Sequence, residues 1–152
     1  MLLKLLPTQI AQNWPSLQWA IRQGLPPLAY DSPGRENRIL EQLQRDEVHA
    51  WLSYDKADSE SPDAAVLTMF TEDKASGVRN LFVYCIASFT PNAKIPQAAW
   101  EDGLRTLIQF ARGANCHRLI GLTNSKSIVR FVKGVPGGEC RHAFVTVDVN
   151  GG

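Results

Sequence analysis

The sequence predicts an α/β (α+β) domain with a mixed, mostly antiparallel central sheet of about six to seven strands, flanked by helices on both faces. Three observations predict it. The first third carries apolar residues at helical spacing, the middle carries three strand-like runs parted by short polar turns, and a long amphipathic helix then lies between two further strand-like runs. Strand, helix, strand in that order makes a parallel crossover, whereas the short turns before it allow only hairpins.

Composition sets the outer bounds. At 152 residues the chain reads as a single domain over 1–152, long enough to bury roughly two thirds of the surface its unfolded form exposes. Sixteen Lys plus Arg against 15 Asp plus Glu create no field that would draw it to nucleic acid or to anionic lipid. Cys85, Cys116 and Cys140 are odd in number and form no C-x-x-C pair, which argues against a disulfide framework or a zinc site and fits a reducing compartment. The apolar opening Met1–Leu6 is cut by Lys4 and ends at Pro7. It is too short for a signal peptide or a membrane span and reads as an N-terminal strand.

The elements follow in order. Asn13 is placed to cap a first helix with Pro15 in its first turn, where a missing N–H is harmless, and Trp14, Leu17, Ile21 and Leu25 form its stripe. Gly24 and Pro26–Pro27 stop it. Ser32 is expected to cap a second helix, with Glu36 in its first turn and Ile39, Leu40 and Leu43 on one face, ending near Asp46. Strands are expected over 49–54, 65–71 and 78–89, joined by polar turns at 55–63 and 71–77. The run Leu81–Ala87 is apolar at every position, so its strand should be covered on both faces. Pro96 fits the first position of the long helix, in which Trp100, Gly103, Leu104, Leu107, Ile108 and Ala111 share a side opposite Glu101, Asp102, Arg105, Gln109 and Arg112. A short buried strand over 118–122, a helix over 125–133, a Gly137–Gly138 turn and a last strand over 140–149 complete the chain.

This order resembles the GNAT (Gcn5-related N-acetyltransferase) fold over nearly the whole chain. The best local match is the stretch Leu119-Ile120-Gly121-Leu122-Thr123-Asn124-Ser125, continuing through Phe131 to Gly134-Val135. It is similar to the family's fifth strand and fourth helix, where Asn opens the helix and Gly with an apolar residue closes it. The closest pattern is that of small phage-encoded members, some of them internal virion proteins. Leu67-Thr68-Met69, Trp100, Ala111-Arg112 and Cys116 carry that likeness.

The departures bear on chemistry. Family enzymes hold the coenzyme A pyrophosphate on a Q/R-x-x-G-x-G/A segment, where bare backbone N–H groups meet a helix N-terminus. The corresponding stretch here, Thr90-Pro91-Asn92-Ala93-Lys94-Ile95-Pro96-Gln97-Ala98, has no glycine, and its two prolines delete donors. Each lost charge-assisted donor is worth about 1.5 to 3 kcal/mol. Lys94 could restore one contact. Where many members place a Tyr that protonates the leaving thiolate, this chain has Phe131, which has no proton to give.

Other candidates have plain structural readings. Glu47, His49, His117 and His142 share no ligand spacing, so no metal is expected. Asp55, Asp58, Glu60 and Asp63 lack the central glycine of a calcium loop and read as a solvated turn. Thr123-Asn124-Ser125 reads first as a helix cap. Trp19 falls off the apolar stripe of its helix and would mark an exposed contact surface.

Two function classes result. The first, implied by the resemblance together with the missing loop, is a catalytically degenerate GNAT-like module without cofactor, binding a protein partner such as other phage structural proteins. It would reside in the cytoplasm of a bacterial host and be assembled into a virion, with no direct nucleic-acid or membrane role. The alternative is an acyl-CoA-dependent N-acetyltransferase acting on an amine. Its acetyl-CoA would meet Ala87, Ser88, Lys94 and Gln97 between the fourth and fifth strands, with Asn124 and Ser127 as catalytic candidates. A weaker third reading is a toxin or immunity-type regulator that takes a peptide in the same crevice.

Overall fold

The computed structural model describes residues 1–26, 28–29, 32–55, 60–90 and 95–149. Of the residues named above, Pro27, Asp58, Pro91, Asn92, Ala93 and Lys94 lie outside the described ones. The chain divides into two compact units, Met1–Gly121 and Leu122–Gly152.

The first unit runs β1 (Leu2–Lys4), a single 3-10 turn (Pro7–Gln9), α1 (Ile10–Gly24), α2 (Arg35–Gln44), β2 (His49–Ser53), β3 (Ala64–Asp73), β4 (Val78–Ser88), α3 (Gln97–Gly113) and β5 (Arg118–Gly121). One sheet takes them in sequence order, β1-β2-β3-β4-β5, antiparallel up to β4 and parallel between β4 and β5. The β4–α3–β5 crossover and the β3–β4 hairpin are those the sequence predicts. In the hairpin turn Gly77 adopts a φ of 74°, and Asp73 accepts from Ser76 Oγ at 2.6 Å and from Ala75 N at 3.1 Å.

The described sheet has five strands, fewer than expected. The segment 140–149 is irregular, with Phe144, Val145, Val147 and Val149 exposed. Alternation makes a segment fit for a strand, but only a ladder makes it one. With no strand beyond it among the described residues, β5 is an edge of the described sheet: Arg118 and Gly121 are exposed, and Leu119 and Ile120 only half-buried, where a buried strand was expected.

Helix starts also differ from expectation. Pro7, not Pro15, occupies a helical first turn, and Gln9 Oε1 accepts from Leu6 N at 2.8 Å to fix that entry. Asn13 therefore sits inside α1, where its Nδ2 donates to Gln9 O at 2.9 Å, and Pro15 lies within the helix. The second helix opens at Gly34, whose φ of 73° only glycine takes freely, and the Ser32 hydroxyl accepts from Arg38 Nη2 at 2.7 Å instead of capping.

The sheet separates two cores. Leu17 and Ile21 of α1 and Leu43 of α2 pack on Leu52, Leu67 and Cys85, while Leu107 and Ala111 of α3 pack on Trp51, Val66 and Leu81. Leu107 and Ala111 are the predicted stripe of α3, and Trp100 at its start is half-buried. Trp19 is no exposed contact. It packs against the first core with its ring 5.5 Å from that of Phe89, because the end of β4 extends the sheet under it.

In the second unit α4 spans Lys126–Lys133. Ser125 is its cap, with Oγ accepting from Ile128 N at 3.4 Å, and Thr123 Oγ1 accepts from Ser125 N at 3.0 Å. This is the cap predicted at Thr123-Asn124-Ser125. Gly137, at a φ of 81°, makes the following turn.

Candidate functional site

The sheet opens at one point. Between β3 and β4 the register passes from Leu67↔Cys85 to Thr68↔Val83, so Tyr84 is an extra residue, a β-bulge. Pairing of β4 with β5 ends at Val83↔Gly121, directly before that bulge. Among the described residues, β4 is therefore paired with β3 alone from Tyr84 to Ser88. Phe89 N donates to Asp63 O at 2.8 Å, which fixes the phase of the ladder. Ala87 and Cys85 turn their main-chain groups to β3, and Ile86 and Ser88 turn theirs to the side that β5 has left. The bulge also exchanges the faces of the strand. Leu81 and Val83 point to the α3 core before it, and Cys85 and Ala87 point to the α1–α2 core after it.

Close packing holds this edge. A Cβ at Gly24, the last residue of α1, would lie 2.7 Å from Ile86 O and 3.0 Å from Cys85 Sγ, so glycine is what lets the helix end approach the strand. Cys85 donates through sulfur to Ala20 O at 3.6 Å, and burial pushes its thiol up to about 12. That thiol is structural, not nucleophilic. Ser88 Oγ is folded back on Thr90, accepting from its N and donating to its O, each at 3.2 Å. At the start of α3, Ala99 N and Trp100 N donate to Pro96 O at 3.0 and 3.2 Å, and Gln97 Nε2 donates to Glu101 Oε1 at 3.2 Å.

A cavity of about 590 Å³ opens on the α2 side of the same bulge. Ile39, Val48, Met69, Phe82, Tyr84 and Ile120 form its apolar wall, and Arg38, Gln42 and Thr71 add its polar atoms. The Phe82 and Tyr84 rings meet edge to face at 6.0 Å. Burial raises the pKa of the Tyr84 hydroxyl above its ordinary value, with a smaller opposing effect of Arg35. Sequence reasoning missed this cavity. Its one signal is Phe82 and Tyr84 two apart in the run Leu81–Ala87, which is otherwise small and aliphatic.

On the α3 face a second polar group is fully enclosed. Trp51 Nε1 donates to Thr68 Oγ1 at 2.9 Å, and Thr68 Oγ1 lies 3.0 Å from His49 Nδ1. Phe70 and Phe110 stand edge-on to the imidazole at 4.9 and 5.0 Å. Burial, and then the charge of Lys4, lower the His49 pKa. Among the described residues no three His, Cys, Asp or Glu side chains gather as metal ligands would.

Of the residues singled out from sequence, Ala87 and Ser88 lie on the open stretch of β4, and Gln97 begins α3. Lys94 lies outside the described residues. Asn124 and Ser127 belong to the second unit, one before the Ser125 cap and the other in the first turn of α4. Ile86, not singled out, shares the outward-facing main chain with Ser88. Only the register reveals it.

No protein-family model and no curated protein matches the chain. Solved structures do. A probable acetyltransferase superposes with a TM-score of 0.68 at 11% identity, covering 97% of this chain and 98% of that one. A predicted acetyltransferase from Clostridium acetobutylicum, solved with acetyl-CoA, gives 0.66 at 13% identity over 99% and 96% of the two chains. An aminoglycoside N-acetyltransferase in complex with CoA gives 0.65 at 16% identity over 97% and 93%. With its crossover, its bulged fourth strand and these neighbours over almost its full length, the chain has the GNAT acetyltransferase fold.

Proposed function

We propose that the chain binds the pantetheine arm of an acyl-CoA along the open edge of β4 and passes the acyl group to an amine. One observation carries this reading: the Tyr84 bulge lies where β5 ends, turning the N–H groups of Ile86 and Ser88 and the C=O of Ser88 outward, while the Ile86 C=O packs against Gly24. An extended amide-bearing arm can pair with such an edge as an added strand would. Structural neighbours solved with acetyl-CoA and with CoA support it. Ile86 and Ser88 would hold the arm, and Lys94 follows them in sequence as a cation for the phosphates. The amine attacks the thioester carbonyl, and the thiolate leaves and is protonated. Phe131 cannot supply that proton, so it must come from another group or from water.

A second reading keeps a specific observation on its side. The stretch 90–98 has no glycine, and Pro91 and Pro96 offer no N–H. This favours a catalytically degenerate module that binds a protein partner, such as a phage virion component.

Titration with acetyl-CoA separates the two. At about 100 times its dissociation constant a ligand adds roughly 2.7 kcal/mol of stability, so binding predicts a clear rise in melting temperature, and transfer predicts free thiol released with an amine acceptor. Ser88→Pro, which removes an outward N–H while leaving the ladder to β3 intact, is expected to weaken binding by roughly tenfold, about 1.4 kcal/mol. No shift with acetyl-CoA leaves the non-catalytic reading standing.

A further inference from the structure

We propose that the cavity beside the bulge takes the hydrocarbon chain of a medium- or long-chain acyl thioester, making the preferred donor a fatty acyl-CoA and not acetyl-CoA. This rests on the reading that the β4 edge holds the pantetheine arm. Tyr84 connects the two places, being both the bulge residue at the end of that edge and part of the cavity wall. An arm lying along Ile86 and Ser88 would therefore bring its thioester to the cavity mouth.

The wall chemistry selects between the two halves of the reaction. An amine acceptor is cationic before it reacts and needs a carboxylate to offset its lost hydration. No Asp or Glu lines the cavity among the described residues, and the charge at its rim, Arg38, is itself positive. An uncharged chain meets Ile39, Val48, Met69, Phe82 and Ile120 without leaving a charge unmatched. Size points the same way: about 590 Å³ lies within the usual range for small-ligand pockets, and an acetyl group would leave most of it empty.

Calorimetric titration of the full chain with free CoA, acetyl-CoA, octanoyl-CoA and dodecanoyl-CoA tests this, with dodecanoate alone as a further arm and acyl chains kept below micelle formation. Each methylene withdrawn from water strengthens binding by about fourfold, and after the cost of ordering the chain we expect roughly a hundredfold gain from acetyl to dodecanoyl. Met69→Trp, which fills the cavity from the sheet, should abolish that gain while leaving acetyl-CoA affinity within about twofold. Ile39→Phe fills it from the helix if the first variant does not fold. Equal affinity for acetyl- and dodecanoyl-CoA would overturn the chain pocket and leave the β4-edge reading intact. Failure of every thioester to bind would overturn both, even if dodecanoate alone bound. A chain-length gain that survives the filling variants would place the chain elsewhere. Light scattering completes the test: a dimer abolished by Met69→Trp would assign the cavity to a second copy instead.

Discussion

The Thr68 hydroxyl stands between the Trp51 indole and the His49 imidazole. Indole N–H can only donate, so Thr68 Oγ1 accepts from Trp51 and keeps a second lone pair and its own proton for the hydrogen bond with His49 Nδ1. Thr68→Val should strand both partners and cost about 1 to 3 kcal/mol, read as a lower urea midpoint. The pH dependence follows from the lowered His49 pKa, set first by burial. Above the ordinary imidazole value of about 6.5 neither state carries the charge and the full stability is present. As pH falls below that value the unfolded chain takes up a proton that the folded one refuses, so stability declines until the folded pKa is reached. His49→Phe should flatten that decline in denaturation series between pH 7 and pH 5. None of this network is legible in the sequence, since His49 and Thr68 are 19 residues apart and meet only through strand register. The Ser125 cap was legible because its partner, Ile128 N, lies within the same turn.

At the scale of elements, the bulge in β4 is the feature with most consequence. Deleting Tyr84 would return the β3–β4 pairing to regular register while keeping Val83 toward α3 and Cys85 toward α1 and α2. The deletion variant is expected to fold, with an unchanged far-ultraviolet spectrum, but to lose acetyl-CoA affinity by roughly tenfold or more, about 1.4 kcal/mol in a titration. A variant that binds as tightly as the parent would show that the opening does not depend on the extra residue. The strand itself was readable because Leu81–Ala87 is apolar throughout, the mark of cover on both faces. That same uniformity hides the bulge, for a shift of one residue leaves no trace where both faces are apolar. The helix starts failed for a related reason. Pro7 and Pro15 each fit a first turn, and only the interaction of Gln9 with Leu6 decides between them.

For the molecule as a whole, both cores lie inside Met1–Gly121. A chain ending at Gly121 should therefore unfold cooperatively, with a midpoint within about 5 °C of the full chain, a difference on the order of 1 kcal/mol. Broad, non-cooperative melting of that fragment would mean that residues after 121 are needed for the cores to form. The order of elements up to β5 was legible because periodicity and turn residues are local signals. The pairing of 140–149 was not, because alternation says which faces a strand would have but not whether a neighbour exists. The sheet order β1-β2-β3-β4-β5 has one more implication. Each strand after the first leaves the ribosome when the neighbour before it is already made, so the sheet can be laid down from one margin to the other during synthesis, and no strand has to be inserted between two that are already paired.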